Sequence, residues 1–318
     1  MRIVFMGTPA SAVPSLRRCL DDGHEVVAVW TQPDRVAGRG QESVKELPVK
    51  QFALDHQLEV EQPKKLRIEQ ARDLLASYEA DVAVVVAYGR LLPPEFLRAP
   101  RLGCINVHFS LLPKYRGAAP VNWAIVNGEE KTGVTTMFIE KELDSGPILL
   151  QRETQIGAEE TAPQLIARLA DMGADLLSET LSQLNAITPR TQHSEEATLA
   201  PLLRKEDGLI DWSMDAFAIE RRVRGFQPWP NAYTFSNSRR LIVWRAAAEN
   251  LEGISEAESQ GNAKLPSTII AATAGDLVLA CGHQTVLHLL EVQPEGARRM
   301  TGAEFLNGAR LKPGKKME

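Results

Sequence analysis

Asn106 and His108 stand two residues apart at the end of a short apolar run, in the segment INVHFSLLPKYRGAAP (105–120). Because side chains alternate between the two faces of an extended strand, both polar groups would lie on the same face. The following loop contains Pro, Lys, Arg and Gly, which restrict its course. Open α/β sheets present ligand sites in this way, at the end of a strand. The alternative is a capped strand with an internally satisfied histidine.

A third candidate is Asp144, in the sequence ELDSGPIL just after a strand-like run at residues 133–140. If that strand lies near residues 103–110, Asp144 and His108 share the carboxyl edge of the sheet. An amide can hydrogen-bond a developing oxyanion, an imidazole can transfer a proton, and a carboxylate can orient that imidazole. No nucleophilic serine or cysteine is implied, so the set favours direct transfer between two bound substrates. A surface-turn aspartate is the alternative for Asp144.

The elements that would position these residues alternate between strands and helices. Near-continuous Val, Ile and Ala runs are typical of strands covered on both faces. Strands separated by helical patterns indicate right-handed crossovers and a mostly parallel sheet. The predicted strands cover residues 2–7, 24–31, 81–89, 103–110 and 133–140, and the predicted helices cover residues 11–23 and 161–184.

The last third of the chain has a different pattern. Short strands with turn signals between them, such as YTFSNSRRLIVWRAAA and TVLHLLEV, predict a small barrel or sandwich, and an OB-like barrel fits the length. The preceding segment is polar and interrupted by prolines, which indicates a linker. We therefore predict an α/β domain at residues 1–189, a linker at 190–205 and a β-barrel domain at 206–318.

Composition restricts the class of protein. Hydrophobic residues make up 44% and charged residues 24% of the 318 positions, as in soluble globular proteins. No apolar run approaches the roughly 20 residues of a membrane-spanning helix, and the N-terminal sequence is unlike a signal peptide. The net charge of −5 argues against a general polyanion binder. The 3 cysteines are scattered, which argues against a disulfide framework and makes a reducing cytoplasm the expected location.

Several cofactor and catalytic motifs are absent from the sequence. MGTPASAV follows the first strand but lacks G-x-G-x-x-G, so a dinucleotide site is not supported. There is no P-loop, no G-x-S-x-G elbow and no H-E-x-x-H helix. The 6 histidines show no metal-ligand spacing, so we expect no metal.

The sequence N-V-H-x-S-L-L-P-K-Y-R-G-A-A-P, followed by L-D-S-G, resembles the formyltransferases that use 10-formyltetrahydrofolate. The resemblance extends to FMGTPASAVPSL, TQPDRVAGRG and ADVAVVVAYGRLLP in the first half, and to KEDGLIDW, VRGFQPWPNAYT and QPEGARRMTGAEFLNG in the second. Within these enzymes, the motifs are most similar to those of the members that formylate methionyl initiator tRNA. The resemblance implies a Rossmann-like catalytic domain and an OB-like C-terminal barrel that holds tRNA.

The same resemblance implies roles for particular residues. The catalytic set would be Asn106, His108 and Asp144. The site for the 10-formyltetrahydrofolate donor would be lined by Ser110, Leu111, Leu112 and Pro113. The loop at residues 32–48 would grip the tRNA acceptor stem through Arg35, Arg39 and Lys45, with a solvated insertion as the alternative for this loop.

Some positions depart from the pattern of relatives. Gln41 and Glu42 stand where a lysine pair can occur, which weakens the positive charge of the loop. Phe109 is larger than the glycine of some relatives and would alter only the shape of the pocket. We interpret Trp212 and Trp229 as core aromatic residues, with base stacking as the alternative.

The sequence therefore predicts transfer of a formyl group from 10-formyltetrahydrofolate to the amino group of methionine on initiator tRNA. The expected enzyme is a cytoplasmic monomer without membrane contact. A sister formyltransferase acting on an amino-sugar nucleotide would share the catalytic set, although TQPDRVAGRG favours tRNA. From another class, a non-catalytic RNA-binding protein is opposed by the intact Asn/His/Asp set.

Overall fold

The computed structural model describes residues 1–34, 47–251, 265–273, 276–309 and 311–317. The chain divides into two compact units, and neither is a single stretch of sequence. The first unit comprises Met1–Pro120, Lys131–Gln155 and Leu165–Pro201. The second comprises Val121–Glu130, Ile156–Gln164 and Leu202–Glu318.

The first unit is built on a seven-stranded sheet with a separate two-stranded ribbon. Its strands are β1 (Arg2–Gly7), β2 (Glu25–Trp30), β3 (Val60–Glu61), β4 (Val82–Val86), β5 (Cys104–His108), β6 (Arg116–Gly117), β7 (Lys131–Phe138), β8 (Ile148–Gln155) and β9 (Leu199–Ala200). The helices along the same stretch of sequence are α1 (Val13–Asp21), α2 (Pro48–Asp55), α3 (Glu69–Ser77), α4 (Pro94–Leu97), α5 (Pro120–Val126) and α6 (Ala162–Gln183). Of these, α5 belongs to the second unit from Val121 onward.

The large sheet has the strand order β3-β2-β1-β4-β5-β7-β8. Strands β3, β2, β1, β4 and β5 run parallel, with helices in the connections between them. Every residue of β4 is buried, which explains its unbroken VAVVV sequence, because both faces of the strand are covered. This part of the unit is a Rossmann-like α/β arrangement, and the strands predicted for it are confirmed.

Strand β7 departs from the predicted mostly parallel sheet. It is antiparallel to both β5 and β8, so the sheet is mixed. The connection from β5 to β7 leaves and re-enters the sheet at the same edge, which an antiparallel pair permits without a crossover. Strand β8 was not among the predicted strands, because only its first half is an apolar run. The ribbon of β6 and β9 is a short parallel pair beside the loop that follows β5.

The second unit is centred on an antiparallel sheet. Its strands are β10 (Ala232–Ser236), β11 (Arg239–Asn250), β12 (Ile269–Thr273), β13 (Asp276–Ala280), β14 (Thr285–Pro294) and β15 (Met300–Thr301), and its helices are α7 (Ala216–Gly225) and α8 (Gly302–Ala309). The path of the sheet is β10-β11-β14-β13-β12, with β15 paired to β14. Register shifts around Arg245 mark irregular pairing that bends β11. The prediction of a small β-rich unit at the end of the chain is confirmed, and its sheet is antiparallel.

The core of the second unit contains Trp212, Ile219, Val243, Leu279 and Leu287, all buried. Trp212 is 6% exposed, as expected of a core aromatic residue, and its Nε1 donates to Thr234 Oγ1 at 3.1 Å. Trp229 is 52% exposed, so its interpretation as a core residue is wrong. Prolines on both sides of Trp229 fix the chain at a corner rather than in the core. Within the described ranges, no helix has the length and apolarity that crossing a membrane requires.

Candidate active site

The site begins at the end of β5, where Asn106 and His108 share one face of the strand. His108 is 6% exposed, and Asn106 is half-buried. The opposite face, which carries Val107, packs on α6. A Cβ added at Gly173 of that helix would come within 2.9 Å of Val107 Cγ1 and 3.3 Å of Phe109 Cε1. Phe109 therefore lies on the helix-covered face, and its departure from the glycine of some relatives affects packing on α6.

Both ring nitrogens of His108 face oxygen atoms. Its Nε2 lies 2.9 Å from the backbone carbonyl of Tyr115. A carbonyl oxygen only accepts hydrogen bonds, so Nε2 is the donor and carries a hydrogen. The other nitrogen, Nδ1, lies 3.7 Å from Asp144 Oδ2. Nδ1 is therefore the ring atom at which His108 can gain or lose a proton.

Asp144 is held beside His108 with its side chain only 10% exposed, which rules out the surface-turn alternative. Its Oδ2 accepts a hydrogen bond from the backbone N–H of Gly117 at 2.8 Å. Its backbone has φ of 49°, in the left-handed region that aspartate tolerates better than most residues. Asp144 is thus held in place through both its backbone and its side chain.

Asp144 reaches His108 by a different route from the predicted one. The shared carboxyl edge would require β5 and β7 to run parallel, but they pair antiparallel. His108 lies opposite Thr135, whereas the end of β7 at Phe138 lies opposite Ile105. The loop at residues 139–147 brings the carboxylate back to the carboxyl end of β5. The predicted proximity is confirmed, and the predicted reason for it is wrong.

The side-chain amide of Asn106 makes no hydrogen bond to any part of the chain that the structure describes. It is half-buried at the strand end, two residues from His108. An amide in that position has two N–H groups available to a ligand oxygen. The site therefore combines an available donor with a histidine and carboxylate pair.

The loop after β5 contains the residues expected to line the folate site, and its polar groups bond within the protein. Ser110 is fully buried and donates from Oγ to the carbonyl of Lys114 at 2.6 Å. Leu112 is also buried, whereas Leu111 and Pro113 are half-buried. The loop is consequently a rigid turn with two partly exposed apolar side chains.

Strands β7 and β8 hold this turn in place. Thr135 Oγ1 donates to the carbonyl of Ser110 at 2.7 Å and accepts from the N–H of Leu112 at 3.2 Å. Gln151 Nε2 donates to the carbonyl of Leu112 at 2.8 Å and to Thr135 Oγ1 at 2.9 Å. Neither strand residue was a sequence candidate, because each bonds to a loop more than twenty positions earlier in the chain.

The expected tRNA contacts, Arg35, Arg39 and Lys45, lie outside the described residues, as do Gln41 and Glu42. In the described ranges, no group of three or more His, Cys, Asp or Glu side chains could hold a metal ion. The described residues of the site bring together an amide, an imidazole and a carboxylate. Such a set can stabilise an oxyanion and move a proton.

Sequence reasoning also missed the residues that surround Asp144. Gln192 contacts the Asp144 loop and Arg116, although it lies in the predicted linker. Gly117 belongs to the RGAAP part of the motif quoted for the family resemblance, but its contact with Asp144 depends on the fold. The sequence signal that could have pointed to Gly117 is a glycine in the loop shortly after His108. The polar segment around Gln192 contains no comparable signal.

Comparison of the sequence with known proteins identifies the family to which the chain belongs. Residues 1–181 match the family described as Formyl transferase, and residues 202–310 match the Formyl transferase C-terminal domain. The protein named Methionyl-tRNA formyltransferase in Solibacter usitatus is 49% identical over 319 residues, which cover 100% of this chain and 98% of the relative. The protein of the same name in Citrifermentans bemidjiense is 45% identical over 316 residues, which cover 99% of this chain and 95% of the relative.

A solved structure agrees in fold. The N-formyltransferase from Helicobacter canadensis, in complex with folinic acid and dTDP-3-aminofucose, superposes with a TM-score of 0.63. The match covers 94% of this chain and 99% of that protein at 17% identity, so it bears on the fold alone. The two family matches and the full-length relatives lead to one conclusion: this chain belongs to the formyl transferase family.

Proposed function

We propose that this protein transfers the formyl group of 10-formyltetrahydrofolate to the amino group of methionyl initiator tRNA. The observation that carries the chemistry is the available Asn106 amide beside the paired His108 and Asp144. The acceptor is supported by the full-length relatives, whose name includes methionyl-tRNA, and by their near-complete coverage of this chain.

The reaction replaces one carbon–nitrogen bond with another. The methionine amine attacks the formyl carbon, and negative charge develops on the formyl oxygen. Collapse of that intermediate breaks the bond from carbon to N10 of the folate. The attacking amine loses one proton and N10 gains one, so the reaction needs a group that accepts and returns a proton.

We assign the oxyanion donor to Asn106. Its N–H groups have no partner in the described structure, so they bind the developing oxyanion without first breaking an internal bond. Donors positioned in advance stabilise the transition state most strongly, because no reorganisation is needed when charge develops.

We assign proton transfer to Nδ1 of His108. Since Nε2 donates to the carbonyl of Tyr115, it keeps its hydrogen and also fixes the orientation of the ring. A proton arriving at Nδ1 creates an imidazolium that faces Asp144 Oδ2 at 3.7 Å. The carboxylate matches the charge of that cation and faces its ring, which supports a role for Asp144 in orienting the imidazole.

The turn at residues 110–113 is the proposed folate contact. Leu111 and Pro113 offer partly exposed apolar surface, while buried Ser110 and Leu112 set the shape of the turn.

Arg35, Arg39 and Lys45 remain the proposed tRNA contacts of the loop at 32–48. We further propose an OB-like topology for the second unit, supported by its bent antiparallel strands, and domain limits of 1–189 and 206–318.

The proposed compartment is the cytoplasm, and the proposed oligomeric state is a monomer. The three cysteines, Cys19, Cys104 and Cys281, are free and buried, which suits a reducing environment. Light scattering during size-exclusion chromatography measures the mass of the protein in solution, and a monomer would give 35.0 kDa.

A formylation assay with two acceptors in parallel tests the function. The protein is incubated with 10-formyltetrahydrofolate and either methionyl initiator tRNA or an amino-sugar nucleotide. We expect formyl-methionyl-tRNA and no formylated sugar. Efficient formylation of the sugar with no reaction on tRNA would overturn the acceptor and leave formyl transfer intact. No reaction with either acceptor would overturn the enzymatic proposal.

A further inference from the structure

Gln192 is a buried side chain in the stretch predicted to be a linker. It is 7% exposed, and its carboxamide uses all of its hydrogen-bonding capacity. Nε2 donates to the carbonyls of Asp144 at 2.9 Å and Gly146 at 2.7 Å. Oε1 accepts from Arg116 Nε at 3.0 Å and from a terminal guanidinium nitrogen at 2.8 Å.

These bonds connect the backbone of Asp144 to the strand that holds its carboxylate. The Nε2 bonds hold the backbone of the 144–146 turn, and the Oε1 bonds hold Arg116 in β6. The next residue of β6, Gly117, supplies the N–H that binds Asp144 Oδ2 at 2.8 Å. The carboxylate of Asp144 is therefore bonded directly to β6, and its backbone is connected to the same strand through Gln192 and Arg116.

A glutamine is the residue type that this position requires. It faces two carbonyls, which need donors, and a guanidinium, which needs an acceptor, and a carboxamide supplies both. Glutamate has nearly the same shape and keeps the acceptor for Arg116. It would lose both donors and turn a negative oxygen toward the two carbonyls.

We propose that Gln192 is a positioning residue for catalysis, which sets the location of Asp144 Oδ2 relative to His108 Nδ1. This inference rests on the proposed formyl transfer. A displacement of about 1 Å in a catalytic group can reduce the rate by about 10²-fold. Losing the Nε2 bonds frees the backbone of the turn, and the carboxylate then shifts from the imidazole.

The test compares Gln192→Glu, Asp144→Asn and the double variant by kcat and KM. We expect Gln192→Glu to lower kcat by about 10-fold to 100-fold. The KM for 10-formyltetrahydrofolate should change by less than about 2-fold, since the turn at 110–113 is held by separate strands. In the Asp144→Asn background, Gln192→Glu should lower kcat further by less than about 2-fold, because two changes that act through one group are not additive.

Gln227→Glu is the matched control. Gln227 Nε2 also donates to two carbonyls, those of Val223 at 3.0 Å and Trp244 at 2.9 Å, in the second unit. Its substitution introduces the same chemical change without contact to Asp144. We expect Gln227→Glu to retain kcat within about 2-fold of the unsubstituted protein, so that a loss seen only at position 192 reflects its location.

Arg116→Lys provides a second test if the Gln192 variant does not fold. Lysine keeps the charge but loses the two-pronged contact with Oε1. We expect a smaller fall in kcat that is again absent in the Asp144→Asn background. Losses that multiply with Asp144→Asn, or an unchanged kcat, would overturn the positioning role. Because the unsubstituted protein is assayed first, absence of formyl transfer would instead reject the proposed function.

Discussion

Asp144 Oδ2 lies 3.7 Å from His108 Nδ1, although the strands that precede the two residues run in opposite directions. A loop, rather than adjoining strand ends, completes the pair. The position of the carboxylate consequently depends on what holds that loop. In this protein it is held by the N–H of Gly117 and the carboxamide of Gln192.

Replacing either of the two side chains on β5 should slow the chemical step. Asn106→Ala removes the oxyanion donor and should lower kcat by about 10²-fold to 10³-fold. His108→Ala removes the proton-transfer group and should lower kcat by about 10²-fold to 10⁴-fold. Single-turnover formylation measures the step, and equilibrium binding of tetrahydrofolate should be nearly unchanged. Turnover of His108→Ala near that of the unsubstituted protein would remove His108 from the mechanism.

Gly117→Ala should disrupt the site through the backbone. Gly117 has φ of 129°, and an added Cβ would lie 2.4 Å from the carbonyl oxygen of Ala200. The strand must move to relieve that contact, and its N–H then leaves Asp144. We expect kcat to fall by about 10²-fold.

Gly23→Ala is the control for Gly117→Ala. Gly23 also has a positive φ of 74°, but no atom lies within 4 Å of an added Cβ. It should lose only about 1 to 2 kcal/mol of unfolding free energy, the cost of a left-handed alanine. Equal losses of kcat in the two variants would show that backbone strain, rather than the contact with Asp144, causes the effect.

The two tryptophans of the second unit should differ in their effect on stability. Trp212 is 6% exposed, and Trp212→Ala should lower the free energy of unfolding by about 3 to 5 kcal/mol. Trp229 is 52% exposed, and Trp229→Ala should cost less than about 1 kcal/mol. Urea unfolding followed by circular dichroism measures both. Similar losses would contradict the assignment of Trp212 to the core and Trp229 to the surface.

The cysteines should be unreactive in the folded protein. Burial raises the pKa of the thiols of Cys19, Cys104 and Cys281 from 9.0 to about 12. Because the thiolate is the reactive form, iodoacetamide should modify none of them at pH 8 before unfolding and all 3 after it. Above pH 9.0 the unfolded chain loses thiol protons that the folded chain retains, so stability should fall as the pH rises. Rapid alkylation of the native protein, detected by mass spectrometry, would contradict this burial.

Binding of tRNA should depend on salt through the loop at 32–48. Arg39→Ala should weaken the affinity for methionyl initiator tRNA and reduce the slope of log K against log[salt] by about 0.7 to 0.9, the contribution of one phosphate contact. Arg72→Ala removes an exposed arginine that pairs with Glu69 and Asp73 on α3, and it should leave the slope unchanged. The same slope in both variants would exclude Arg39 from the phosphate contacts.

The sequence was sufficient for elements with strong local patterns. Unbroken apolar runs predicted the buried parallel strands, and 3.6-residue periodicity predicted α6 almost to its ends. Asn106 and His108 could be placed on one face because alternation along a strand is a local property. The direction of β7 is decided by pairing between distant segments, and local patterns do not encode it.

Gln192 and Gly117 are two site residues whose roles could not be predicted from local sequence patterns. The segment around Gln192 has no periodicity, and its burial depends on partners 46 to 76 positions earlier in the chain. Gly117 stands in a recognisable motif, but only the fold shows that its N–H binds a carboxylate and that Ala200 excludes a side chain there. Chemistry-bearing residues were visible from their types, whereas the residues that hold them were not.

The second compact unit includes residues from the middle of the chain as well as its end. The ring of Trp123 in α5 packs edge-on against Phe226, with centroids 5.8 Å apart, and Asn122 Nδ2 donates to the carbonyl of Gly225 at 2.7 Å. Residues 202–318 alone therefore lack part of their own core. A gene fusion that transferred only this stretch to another protein would leave Phe226 without the ring of Trp123. The second unit is therefore complete only when residues 121–130 and 156–164 are present with it.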